Sequence, residues 1–279
     1  MENSKLEPTE VTENFRIPDA MWEQCKPLIP PDRPKSKGGR PRNDDRKMMD
    51  AIFYVLRTGI QWKALPRHVA AGSSAHDRFQ EWLCAGVFHQ MWQLGLLTYD
   101  AIKHIEWEWQ SMDGVMTKAP LGGAATGPNP TDRAKKGTKR SLLTDGRGVP
   151  LALQVVGANR PDMKVTEATV ANYAIPRPRP TSRKPQHLCL DAGFDYEQVR
   201  QILDAYGYTA HIRSRANERD SKRKIPGYRA RRWVVERTHS WMNRFRRILI
   251  RWEKKVKNYV AMLELACAYI AFHVSEVFG

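Results

Sequence analysis

Met49, Ile52, Phe53 and Leu56 stand at i, i+3, i+4 and i+7, the repeat of a helix with one buried face. Asp44 and Asp45 precede the run as caps, and Gly59 follows as a stop. Phe79, Trp82 and Leu83 mark a second helix over 75–85, and Met91, Trp92 and Leu94 a third over 88–97. These segments predict a small helical domain spanning 15–105. A helix-turn-helix and a plain bundle both fit, because periodicity gives helices but not crossing angles. The polar stretch 1–14 reads as a tail. The run PPDRPKSKGGRPRNDD, within an arm at 30–46, is rich in proline, glycine and positive charge and reads as a basic linker.

Near residue 108 the period shortens. Segments 110–117, 140–144 and 149–156 read as strands, the last two joined by the turn Asp145-Gly-Arg-Gly148. Val149, Leu151, Leu153 and Val155 alternate with their neighbours and give the third strand an apolar face. Short strands at 187–190 and 208–212 flank a helix at 196–205. Two long helices close the chain, with stripes Val235, Thr238, Met242, Phe245, Leu249 and Val256, Val260, Leu263, Cys267, Ile270, Val274, Val277. The span 106–279 is therefore expected to be a mixed α/β domain.

Charge adds a partner class. The formal net charge is +16, from 46 Lys and Arg against 30 Asp and Glu. Between Arg213 and Lys257, 17 Lys or Arg face only 4 Asp or Glu. Such a concentration favours a phosphate-binding surface over a merely solvated one. Cys25, Cys84, Cys189 and Cys267 lie far apart, with no zinc-like spacing and no disulfide framework. No apolar signal segment opens the sequence, and charges interrupt its C-terminal apolar run. A cytoplasmic, nucleoid-associated protein without membrane contact is expected.

Three acidic residues stand out by position. Asp113 lies within a strand, where charge is depleted. Asp191 follows the short strand HLCL. Glu236 sits about 130° round its helix from the apolar stripe, at 100° per residue. Brought together, they could hold two hard cations for an in-line displacement at phosphorus. Each also has a plainer reading: a turn at Asp113-Gly114, a helix cap at Asp191, an ion pair of Glu236 with Arg232. Local spacing does not separate these alternatives.

The segment RRWVVERTHSWMNRFRRILIRWEK (231–254) resembles the glutamate-bearing motif of DDE transposases of the insertion-sequence-5 family. LDAGFD (190–195) is similar to that family's second-aspartate motif, and SMDGVMTKAP to its first-aspartate strand. GTKRSLLTDGRGVPLALQVVGANRPD (137–162) resembles its hairpin, and GRPRNDDRKMMDAIFYVLRTGIQWKALP (39–66) its N-terminal region. The motifs run in order over roughly 20–275, which is more specific than any one alone. Two positions depart from the pattern: Asn243 stands where some relatives have lysine, and Arg229 where a tyrosine is usual.

The resemblance implies a ribonuclease-H-like fold in which Asp113, Asp191 and Glu236 are catalytic and hold two Mg²⁺ ions, with Mn²⁺ able to substitute. It implies binding of double-stranded DNA at the terminal inverted repeats of an insertion sequence, cleavage, and strand transfer into target DNA by a homodimer or larger assembly. Lys139, Arg140, Arg232, Arg237, Arg244 and Arg247 are expected to meet DNA. The alternatives are a catalytically inactive, repurposed DNA-binding protein and a ribonuclease-H-like nuclease. The first needs none of the three carboxylates, and the second cleaves without joining.

Overall fold

The computed structural model describes residues 13–31, 41–212 and 233–276. Arg232, Val277, much of the basic arm, the first twelve residues of the tail and the 213–232 part of the charged stretch lie outside the described residues.

The helical segment contains α1 (Asp19–Cys25), α2 (Asp45–Thr58), α3 (Gly72–Cys84) and α4 (Val87–Lys103). α2 begins as the sequence predicts, with the Asp44 carboxylate accepting from the Lys47 backbone N–H at 2.9 Å. It stops at Gly59, whose φ of 73° is the left-handed conformation of a helix C-cap. α4 runs beyond the predicted 88–97. Its extra turns carry Tyr99, whose buried hydroxyl donates to the Asp145 carboxylate at 2.8 Å, a tertiary contact that local periodicity does not contain.

The mixed α/β part is built on one sheet with β1 (Trp109–Lys118), β2 (Gly127–Pro128), β3 (Lys136–Thr144), β4 (Pro150–Gly157), β5 (Gln186–Leu190) and β6 (Tyr208–Ile212). β1 and β4 lie antiparallel on β3, with β2 pairing at its start. β5 runs parallel to β1, and β6 parallel to β5. Helices α5 (Thr166–Ala171) and α6 (Glu197–Ala205) connect these strands. The hairpin turn between β3 and β4 closes around the Asp145 carboxylate. It accepts from the backbone N–H groups of Arg147 at 3.0 Å and Val149 at 2.8 Å. The carboxylate thus ties the turn to α4 through Tyr99.

The C-terminal segment departs from two continuous striped helices. The first is broken into α7 (Trp233–Met242) and α8 (Arg246–Leu249), with Phe245 in an extended conformation between them. The break changes the phase, so Ile248 is fully buried and Leu249 is 39% exposed, the reverse of the predicted stripe. The chain then runs beside the end of β1, where the Arg251 backbone N–H donates to the Lys118 carbonyl at 2.8 Å.

The second is α9 (Val256–Val274). Residues off its predicted stripe, Tyr259, Met262, Ala266 and Phe272, are fully buried. α9 packs against α4 on one side and against β4 on another, and a helix covered on several sides is apolar all round rather than along one stripe. Through it the helical layer and the sheet share one continuous core. Among the described residues, no helix is long and apolar enough to cross a membrane.

Candidate metal centre

Strand register brings the two aspartates together. β1 and β5 pair in parallel as Trp109 with His187, Gln110 with Leu188 and Ser111 with Cys189. That pairing ends at Ser111 and Cys189; two residues further along stand Asp113, still within β1, and Asp191, the first residue after β5, where neighbouring strands are spaced about 4.8 Å apart. The side-chain alternation that stacks Trp109 on His187, with ring centroids 4.3 Å apart, puts Asp113 on that same face of β1. Asp191 also fulfils part of its plainer reading. It caps the 3-10 turn Ala192–Phe194, its Oδ1 accepting from the Gly193 N–H at 2.7 Å, and this fixes the carboxylate at the end of β5.

α7 lies over β1 and β3 and carries Glu236 on its exposed side. The helix is fastened by Thr238, whose hydroxyl donates to the Gly148 carbonyl at 2.7 Å, and by Arg237, which donates to the Arg147 carbonyl at 2.6 Å. One turn after Glu236, His239 is 4% exposed, and its Nε2 stands 3.9 Å from Asp113 Oδ2. Burial and the nearby Arg140 charge push the His239 pKa down to about 3, so the ring is neutral. A hydrogen bond with the Asp113 backbone works against that shift.

Asp113 registers its surroundings. Burial raises its pKa to about 6, and the carboxylates of Asp191, Asp162 and Glu236 push the same way, against a hydrogen bond from the Gly114 backbone. Four carboxylates therefore share one electrostatic neighbourhood. Among the described residues, no three His, Cys, Asp or Glu form a ready cage for one ion. The donor set still suits Mg²⁺ or Mn²⁺, since a hard cation of this kind takes oxygen ligands, keeps several waters and needs only one or two carboxylates each. A dication would also offset the mutual repulsion that Asp113 feels.

The expected DNA contacts divide sharply. Lys139, Arg140 and Arg247 are turned inward, where each meets partners within the protein. Lys139 donates through Nζ to Asp162 Oδ1 and the Arg160 carbonyl, both at 2.8 Å. Arg140 is 1% exposed and donates to Asn243 Oδ1 at 2.7 Å, because alternation along β3 points it under α7. Arg247 pairs with the buried Glu253 carboxylate at 2.6 Å and donates to the Ile60 carbonyl. Arg237 is held between the Trp233 and Trp241 rings, 4.7 and 4.8 Å from their centroids. Arg244 is exposed beside a cleft lined by Arg57, Trp241, Tyr269 and His273.

Sequence reasoning placed neither His239 nor Asp162 at this centre. The signal for His239 was its place one helical turn after Glu236. For Asp162 no local signal existed, because its nearness to Asp113 is made by tertiary structure.

Known proteins resemble this chain along most of its length. Residues 110–271 match the family described as "Transposase DDE domain", and residues 17–92 the family described as "Putative transposase of IS4/5 family". A transposase from Burkholderia cepacia, described as "Putative transposase for insertion sequence element IS402", is 40% identical over 157 residues, covering 54% of this chain and 71% of that protein. An uncharacterized 16.2 kDa protein of the same insertion element is 30% identical over 118 residues, covering 41% and 80%. Among solved structures, the pre-cleavage Mos1 transpososome covers 78% of this chain and 81% of its own, with 11% identity and a TM-score of 0.28. That likeness is too remote to place any residue. The family matches, together with the 40% identical relative, establish that this chain belongs to the DDE-domain transposases of the IS4/5 type.

Proposed function

We propose that the chain binds the terminal inverted repeats of its insertion sequence, cleaves the DNA there and joins the freed 3′ ends to a target, using Asp113, Asp191 and Glu236 as metal-holding residues. The observation that carries the reading is the β1–β5 register, which sets Asp113 level with Asp191 where burial and neighbouring carboxylates already disfavour a lone negative charge. A sheet in which β1, β3 and β4 are antiparallel and β5 and β6 continue in parallel from β1, with the short β2 on β3, also supports a ribonuclease-H-like fold. Bound there, two divalent ions would activate the attacking water or 3′-hydroxyl and stabilise the leaving oxygen at phosphorus.

The chain's own residues prepare that chemistry. Asp191 is fixed by its cap and Asp113 by the sheet, so neither carboxylate needs to reorganise. His239, neutral and buried, closes the protein side of Asp113 without adding a charge that would compete with a cation. Glu236 approaches from a helix pinned to the β3–β4 turn. The net charge of +16 favours a polyanionic substrate, and action on two element ends calls for at least two copies of the chain on DNA.

The test supplies pre-cut element ends and a second duplex with Mg²⁺ or Mn²⁺. Wild type should join them, and Asp113→Asn should lose both cleavage and joining by at least about a hundredfold. Hydrolysis without joining would favour a nuclease. Full function of Asp113→Asn would favour a DNA-binding protein that uses no metal.

A further inference from the structure

Trp252 is 42% exposed. Of the nine tryptophans it is the one that, among the described residues, has no ring against it, no cation over it and no hydrogen bond. The ring is nonetheless held firmly in place. Burial alternates from Arg251 to Lys254 as in an extended strand, so Trp252 projects outward between two buried neighbours. Arg251 pins the segment, donating to the carbonyls of Ala124 at 2.6 Å, Ala125 at 3.1 Å and Glu253 at 2.9 Å. The Lys254 carbonyl also lies so close to Gly123 that any side chain there would collide with it.

The surface around this ring is positive. Lys254, Lys255 and Lys257 are exposed and have no carboxylate partner among the described residues, while Glu253 is committed to Arg247 in the interior. These lysines stand at the start of α9, where the helix dipole disfavours cations, so the helix itself gains nothing from them. Ile250 pairs in parallel with Lys118 at the end of β1, and β3 occupies the other edge of β1 there. The segment therefore continues the β1 edge that bears β5, about 17 Å along the strand from Asp113. That is outside the metal centre but within reach of the same bound DNA.

We propose that Trp252 is a stacking platform for an unpaired nucleotide of the bound DNA, with the base on the indole and the neighbouring phosphates on Lys254 and Lys255. A nucleotide brings together what this surface lacks, a flat apolar face and negative charge. Inside a duplex both faces of each base are covered by its neighbours, so the occupant is a base released from pairing. The inference rests on the reading of DNA as the substrate and adds to it a contact that takes no part in the metal chemistry.

Titration of the whole chain with labelled oligothymidylate and with a blunt duplex, both without divalent ions so that no cleavage intervenes, tests this. Trp252→Ala should weaken binding of the single strand about tenfold and of the duplex by less than about twofold, and Trp252→Phe should keep most of the affinity. Quenching of tryptophan fluorescence by the single strand is a second readout, and it should shrink in Trp252→Phe although binding persists. Lys254→Ala should weaken both forms of DNA and lower the salt dependence of each. A wild type that ignores the single strand, or a Trp252→Ala variant that loses both forms equally or neither, would overturn the proposal. A changed oligomeric state of DNA-free Trp252→Ala in sedimentation, with single-strand binding intact, would overturn it in favour of a second copy on the ring. Should Trp252→Ala fail to fold, unaltered quenching in Trp252→Phe would count against it equally. Because no metal takes part, loss of joining in Asp113→Asn bears on the metal centre only, whereas a wild type that binds neither form of DNA removes both readings.

Discussion

At the scale of single residues, Asp113 links stability to function with a definite sign. Its carboxyl is raised from 3.8 to about 6, by burial first and then by Asp191, Asp162 and Glu236, so the folded chain holds this proton more tightly than the unfolded chain does. Above pH 6 the residue is ionised in both states and its charge destabilises the fold. As pH falls from 6 towards 3.8 the folded state takes up the proton and that cost disappears. Asp113→Asn should therefore raise the Tm of the metal-free protein at pH 7 to 8, with the gain fading below about pH 4. A melting series that shows no gain at neutral pH would remove the strain assigned here. The chemical types of the site residues were legible in the sequence, but their surroundings were not. Lys139 and Arg140 beside the hairpin and Arg247 in the basic stretch read as free cations, and only tertiary structure supplies their partners Asp162, Asn243 and Glu253.

At the scale of elements, the strands and most helices were legible because alternation and the 3.6-residue period are local consequences of burying one face. Two things were not. Period-two alternation says which face a strand buries but not which strand lies beside it, so the register that levels Asp113 with Asp191 had no sequence signature of its own. The break between α7 and α8 was also hidden, since the residues on both sides of Asn243 fit one continuous stripe. The break has a structural use: it turns Asn243 so that its Oδ1 accepts from Arg140, a guanidinium whose Nε and Nη1 have no partner. Removing that acceptor strands a buried cation, so Asn243→Ala should lower unfolding free energy by about 1–3 kcal/mol. Asn243→Asp should be tolerated better, because it keeps the acceptor and adds an opposite charge. Urea midpoints for both variants check this, and an unaffected Asn243→Ala would mean that the turn is held by backbone alone.

At the scale of the whole molecule, a net charge of +16 does not state how many cations are available to DNA. Burial sorts them. Arg247 spends its charge on Glu253 at 2.6 Å inside the protein, whereas Arg244 is exposed on the turn after α7. Each phosphate neutralised by an available side chain contributes about 0.9 to the slope of log affinity against log salt. Arg244→Ala should therefore reduce that slope by about 1 for element-end DNA while leaving the Tm near wild type. Arg247→Ala should do the opposite, leaving the slope unchanged and lowering the Tm, because it abandons the Glu253 carboxylate in the interior. DNA-binding titrations across a salt series, paired with thermal melts of the same preparations, distinguish the two classes of arginine. If Arg244→Ala kept the full slope, the exposed end of α7 would not be part of the DNA surface. The charge that binds the element would then have to lie elsewhere in the basic sequence.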